Sequence, residues 1–198
     1  MNCLMIYCHP NPKSFCRAIL DVLVEEFKRF GQNEIRIRDL YALGFDPVLR
    51  AADFEAFAGG QVPRDIQIEQ EHILWAGRLI WIYPLWWQGL PAVMKGYVDR
   101  VFVNGFAHEE GPQGPRGLLT DKQNFWITTM GAPTAVYETL GLMRSMQQTI
   151  DDGIGGYCGM PSLGHKYFGN IGHATDEERR GMLEEVRRIA QQLEAKKK

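Results

Sequence analysis

Three short segments of this chain carry side chains whose types and order could do chemistry. The first, His9-Pro10-Asn11-Pro12-Lys13-Ser14-Phe15, leads into an amphipathic run. A helix N-terminus offers free N–H groups and the positive end of its dipole, so it favours an anion such as a phosphate. His9, Lys13 and Ser14 could add donors there; the plainer alternative is that Ser14 only caps the helix and His9 is a loop residue. The second segment, Tyr83 to Pro91, holds the adjacent pair Trp86 and Trp87 with Pro84, Leu85 and Gln88 around them. In a crevice two indoles make a planar apolar wall for an aromatic ring system; in a core they are ordinary packing. The third, Thr128 to Tyr137, contains Thr128, Thr129, Met130, Gly131 and Tyr137. Backbone N–H groups of such a turn, aimed at the edge of a bound ring, could stabilise negative charge as an oxyanion hole does, with the Tyr137 phenol as a further donor. The alternative is a strand-to-helix turn over a buried tyrosine.

Other chemistries lack their residues. There is no G-x-G-x-x-G fingerprint and no Walker-type phosphate loop, and the glycines from Gly153 to Gly156 neither follow a strong strand nor open a helix, so they suggest a turn. Five histidines show no H-E-x-x-H or comparable ligand spacing, so no metal is expected. The G-x-S-x-G elbow of many hydrolases is missing. Cys3, Cys8, Cys16 and Cys158 form no C-x-x-C pair, and Cys3 and Cys8 lie in an apolar run where a thiol packs as a small hydrophobe.

The elements that must position the three segments follow from periodicity. The continuous apolar run from Cys3 to Cys8 predicts a strand buried on both faces. From Ser14, Ile19, Val22, Leu23, Phe27 and Phe30 recur at helical spacing until Gly31. Glu34 to Arg38 alternates isoleucine with charge, as an edge strand does. Residues 51–63 read as irregular, broken by Gly59 and Gly60; a helix is expected from Asp65 to Ala76 with Ile66, Ile73 and Leu74 inward. Arg78 to Pro84 predicts a central strand, and Pro91 opens a helix burying Val93, Met94, Tyr97, Val98, Val101 and Phe102. A long Gly/Pro-rich loop from Asn104 to Asp121 suggests a functional insertion. A strand over Asn124 to Thr129, a helix over Thr134 to Ile150 and a weaker strand near Tyr157 and Cys158 follow. Thr175 and Glu178 form a capping box for a last helix with Met182, Val186, Ile189 and Leu193 as its stripe. Alternating strands and helices give an α/β fold: a doubly wound, five-stranded parallel sheet in the order 2-1-3-4-5. Ligands of such sheets bind outside the carboxyl ends of the strands, where the three segments would meet.

At 198 residues, 45% apolar and 23% charged, the chain suits one domain over residues 1–198. A net charge of -2 gives no electrostatic reason for a nucleic-acid partner, and Lys196, Lys197 and Lys198 suggest a solvated tail. Unpaired cysteines favour a reducing compartment, the cytoplasm. No signal-peptide pattern opens the chain, and the longest apolar segment, Leu79 to Trp87, is too short to cross a bilayer, so an integral membrane protein is not expected.

Most of the chain resembles the NAD(P)H:quinone oxidoreductase (DT-diaphorase) family of flavodoxin-like proteins, including its bacterial modulator-of-drug-activity branch. The resemblance runs through HPNPKSF, DLYALGFDPVL, YPLWWQGLPAVMKGYVDRVFVNGFAH, TTMGAP and GHATDEERRGML, and the block from Tyr83 to His108 is the most specific. It implies a flavin, FAD with FMN in some relatives, and NAD(P)H as co-substrate. By matching motifs, His9, Ser14, Phe15 and Cys16 would surround the phosphates. Pro84, Leu85, Trp86, Trp87 and Gln88 would line the isoalloxazine, with Thr128, Thr129, Met130 and Gly131 at its pyrimidine edge, and Arg179 and Leu183 would reach the adenosine half. The implied mechanism is ping-pong, with hydride passing through flavin N5 to a small-molecule quinone or similar acceptor, Tyr137 stabilising the reduced ring, and a homodimer shaping each pocket. Several positions depart from the family. Met143 stands where a histidine partners the active-site tyrosine, one residue is inserted before Tyr137, and Met130 replaces a glycine. His108 and Glu110 fall where substrate-side tyrosines occur, Cys16 replaces an asparagine, and the loop before Asp65 is shorter. Two other functions remain open: a redox-sensing regulatory subunit of the kind that accompanies potassium-efflux systems, and a flavodoxin-like electron carrier.

Overall fold

The computed structural model describes residues 1–31 and 34–196; Lys197 and Lys198 of the expected tail lie outside the described residues. Three strands made almost wholly of buried residues, β1 (Cys3–Tyr7), β3 (Arg78–Pro84) and β6 (Gln123–Thr129), form the middle of a parallel sheet. Two half-buried strands, β2 (Ile35–Asp39) and β7 (Ser162–Phe168), close its edges in the order β2-β1-β3-β6-β7. A two-residue antiparallel pair, β4 (His108–Glu109) and β5 (Arg116–Gly117), lies inside the long loop; setting it aside gives the expected 2-1-3-4-5 order.

Inner strands covered on both faces need two apolar layers, and the alternation of side chains along each strand supplies them. Met5, Tyr7, Ile80, Ile82 and Ile127 pack under α1 (Phe15–Arg29) and α7 (Asp176–Ala195). Leu4, Ile6, Trp81, Tyr83 and Trp126 pack under α3 (Arg64–Trp75), α4 (Ala92–Val101) and the segment from Met146 to Met160. Trp81 and Trp126 stack at 4.5 Å, and the Trp81 indole donates to Asn124 Oδ1 at 2.8 Å. Ser14 caps α1 by accepting from Arg17 N, and Gly31, at φ +66°, ends it. Thr175 and Glu178 cap α7 reciprocally.

Five expectations are corrected. Residues read as irregular contain α2 (Ala51–Ala58), whose only buried residue is Asp53, so it has no apolar stripe to betray it; Gly59 and Gly60 end this helix rather than prevent it. Leu74 is exposed, because Ile73 takes the inward position beside it. The single helix expected over Thr134 to Ile150 is broken at Gly141, in the left-handed region at φ +71°, into α5 (Thr134–Thr139) and α6 (Leu142–Met146). A π-helical segment, Gln147–Gly156, follows and takes up the glycines read as a turn. The fifth strand is Ser162–Phe168 rather than the stretch near Tyr157 and Cys158, which sits in the turn leaving the π segment.

Candidate functional site

The carboxyl ends of β3 and β6 are flush, with Tyr83 opposite Thr128 and Pro84 opposite Thr129, and β1 ends two residues earlier with Tyr7 opposite Ile82, so the three chemistry-bearing segments leave the same end of the sheet. They are tied to one another. Leu85 N donates to Thr129 O at 2.7 Å, and Cys16 Sγ lies 3.1 Å from Thr129 Oγ1. The His9 and Trp86 rings are 6.2 Å apart, and Phe15 meets Phe168 of β7 edge-on at 6.3 Å. His9, Ser14, Phe15, Cys16, Leu85, Trp86 and Thr129 therefore gather at the carboxyl end of the sheet, where a strand-end crevice is expected.

Its electrostatics favour an anion at one end. Ser14 caps the Arg17 amide, but no acidic residue occupies the first turn of α1, whereas the first turn of α7 is already neutralised by Asp176, Glu177 and Glu178. Ser14 spends its oxygen on the cap and lies 3.2 Å from the Tyr7 hydroxyl. His9 Nδ1 accepts from Asn11 N, and partial burial holds its pKa below the ordinary imidazole value. Burial pushes the Cys16 thiol up to about 12 against the Thr129 hydrogen bond, so it stays protonated and is no nucleophile.

The second segment turns tightly: Trp86 and Gly89 exchange both backbone hydrogen bonds, with Trp87 and Gln88 at φ +50° and +59°. The turn throws Trp87 fully into solvent at 102% relative exposure and leaves Trp86 and Gln88 exposed, so the two indoles are not core residues. Non-glycine residues at positive φ carry strain that marks functional turns.

Other residues are placed differently. The Thr128 hydroxyl is turned inward, 2.7 Å from His165 Nε2, and Met130 is buried with its amide donating to Phe168 O, leaving Gly131 as the open end of the third loop. Tyr137 and Met143 pack half-buried against the core under α3 and α4. His108 and Glu110 meet Tyr157, with rings 4.9 Å apart and the Tyr157 hydroxyl 3.3 Å from Glu110 Oε1; among the described residues no hydrogen bond or ring contact joins them to the three loops. Leu183 packs against the core under α7, while Arg179, in its first turn, donates to Ile171 O and buries its Nε without a partner.

The sequence reading missed one cluster. His165 on β7 lies between Asp151 Oδ1, 2.7 Å from its Nδ1, and Thr128; the Tyr167 hydroxyl is 2.8 Å from the same Nδ1. Asp151, His165 and Tyr167 help line an open cavity of about 540 Å³ with Met143, Arg144 and Asp152. The run Gly164-His165-Lys166-Tyr167-Phe168 does not alternate polar with apolar residues, so its only signal for a strand was the aromatic pair at its end.

A family model described as a flavodoxin-like fold matches residues 1–193. An uncharacterised NAD(P)H oxidoreductase of Haemophilus influenzae is 37% identical over 185 residues, covering 93% of this chain and 91% of its own. The chain belongs to the flavodoxin-like family of NAD(P)H oxidoreductases. The human ribosyldihydronicotinamide dehydrogenase (quinone) is 30% identical over 202 residues, covering 91% of this chain and 86% of its own. The NAD(P)H:quinone oxidoreductase of Methanothermobacter marburgensis has a TM-score of 0.87 at 28% identity over 98% of this chain and 97% of that one. Among the described residues no helix is long and apolar enough to cross a membrane.

Proposed function

We propose that this protein is a cytoplasmic, homodimeric, single-domain flavoprotein that reduces quinones or related small electrophiles with NAD(P)H, in ping-pong order, with FAD preferred over FMN. The bound flavin would supply two-electron transfer between nicotinamide and quinone in alternating half-reactions. The observation that carries the reading is the joining of the three segments at Thr129, between a helix N-terminus with no acidic residue in its first turn and two exposed indoles. The residues fit the cofactor. The α1 amides with His9 and Ser14 suit a phosphate, Trp86 and Trp87 suit a planar ring, and the Gly131 turn suits a polar ring edge. The buried, unpartnered Arg179 Nε supports FAD, since it leaves a donor for a ligand at α7. Exposed Trp87, Val136 and Leu140 support a partner subunit covering this end of the molecule.

The chain's own residues would bind and orient. The α1 N-terminus holds the anionic end, Trp86 and Trp87 exclude water from one ring face, and Tyr137 with the Gly131 amide would donate to the ring edge when charge develops there. Reconstitution with FAD followed by anaerobic NADPH and then menadione tests this. The visible band should appear, bleach and return; absence of bound FAD and FMN alike would overturn the reading, and bound flavin inert to both nicotinamides would favour the carrier or sensor.

Trp87→Ala separates ligand binding from folding. An exposed side chain contributes within about 0.5 kcal/mol to stability, so the melting temperature should hold. Flavin affinity should fall about tenfold, as the loss of an aromatic stacking partner implies. Fluorescence titration with FAD checks it.

A further inference from the structure

The chain Asp151–His165–Thr128 has no part in that reading. His165 is almost wholly buried, and every element around it contributes a facing group. Asp151 comes from the π segment, Thr128 from β6, Tyr83 from β3 with ring centroids 6.3 Å away, and Tyr167 from β7 itself, stacked at 3.9 Å. Arg144 of α6 and Asp152 line the adjoining cavity, while Lys166 turns away to pair with Glu185. With Asp151 ionised, Nδ1–H donates to it and Nε2 accepts from the Thr128 hydroxyl, which fixes the tautomer. Burial holds the imidazole below its ordinary pKa, with Asp151 working against that, so it rests neutral. Tyr83 and Tyr167 are pushed upward by burial and stay protonated. Met143, in the same cavity, has no proton to exchange.

We propose that His165 is the redox-linked proton site of this protein, a positioning residue whose hold on a proton strengthens when electrons enter the strand-end crevice and weakens again when they leave. The proposal rests on the reductase reading. Thr128, which His165 holds, directly precedes Thr129, the residue bonded to both other loops, so this imidazole is wired to the end of the sheet where charge would develop. The net reaction is NAD(P)H + H⁺ + quinone → NAD(P)⁺ + hydroquinone. The nicotinamide gives two electrons and one proton, and the second proton comes from solvent. His165 makes no bond to substrate. Its share of bound proton, drawn from cavity water, rises while the electron pair resides in the crevice and falls when hydroquinone leaves. A new negative charge on the order of 10 Å away, at an effective dielectric of about 20, raises a pKa by about one unit.

The test is a pH titration of histidine-labelled protein by ¹⁵N NMR in cofactor-free, oxidised FAD-loaded and reduced FAD-loaded forms. His165 should show the Nδ1–H tautomer and a depressed pKa in the first two and rise by about one unit in the third. His165→Gln should bind FAD but take up fewer protons on reduction, followed with a pH indicator, and Asp151→Asn should lower the His165 pKa further. If FAD binds and is reduced while the His165 pKa and the proton count stay unchanged, this inference alone is overturned. If no flavin binds, the reductase reading falls and takes the inference with it.

Discussion

A single methyl group added at Gly169 is expected to cost the protein most of its affinity for flavin. Gly169 follows β7, where the chain runs against the third loop: Met130 N donates to Phe168 O, Asn170 N to Ala132 O, and Ile171 N to Met130 O. A Cβ on Gly169 would sit 2.5 Å from Thr134 N, 2.7 Å from Thr134 Oγ1 and 2.9 Å from Ala132 O. Two of these are backbone atoms, one at the start of α5 and one in the third loop, so the loop itself must move. The backbone of Gly169 is not in the left-handed region, so the penalty is steric and not conformational. Overpacking of this kind costs about 1–3 kcal/mol of stability. Displacing Gly131 and the α5 start by a fraction of an ångström should raise the FAD dissociation constant tenfold or more, since 1.4 kcal/mol is about a factor of ten. Gly172→Ala is the control, because nothing lies within 4 Å of its Cβ. Equal FAD affinity and melting temperature in the two variants would show that the third loop does not depend on this contact.

The parts of this fold legible in the sequence are those where one physical signal dominates. The inner strands announce themselves because a parallel strand covered on both faces must be apolar throughout, and α1 and α7 because each carries both a cap and an apolar stripe. Elsewhere two signals compete. Glycines after α2 look like breakers, yet they are its stop signal, and the helix hides because its one buried residue is an aspartate. Gly141 divides an otherwise helical pattern through its positive φ, a conformation that spacing does not encode. Strand β7 is masked because the adjacent polar residues His165 and Lys166 interrupt its apolar pattern, and His165 faces inward, satisfied by partners distant in sequence. The crevice follows the same rule. Its loops could be assigned from the strands that precede them, whereas the inward turn of Thr128 depends on a histidine 37 residues away.

Arg100→Leu should be the most destabilising substitution in the charged layer under α4. The Arg100 guanidinium grips both oxygens of Asp53 at 3.1 Å, reaches Asp65 Oδ2 at 2.6 Å and donates to Asp46 O at 3.0 Å, so one side chain joins α2, α3, α4 and the loop before α2. Asp53 is buried, and removing its partner leaves a carboxylate with the Arg50 amide and the more distant Arg50 charge to stabilise it. Breaking a buried pair on one side costs about 3–5 kcal/mol, a large share of a total near 5–15 kcal/mol. For a chain of this size that is a fall in melting temperature on the order of 10 °C. Arg100→Lys keeps the charge but loses the planar fork, and should fall between wild type and leucine. The pH dependence identifies the cause. The Arg100 hydrogen bonds hold the Asp53 carboxyl below its ordinary pKa, with burial opposing them. A depressed folded pKa gives stability that is present above the unfolded value of about 3.9 and lost as pH falls through the folded value. In Arg100→Leu burial acts unopposed by the guanidinium, so protonation relieves the variant while it weakens the wild type. Chemical denaturation of both proteins should therefore show a gap that narrows below about pH 4. A gap constant from pH 7 down to 3 would mean that Arg100 stabilises the fold through its packing and not through Asp53.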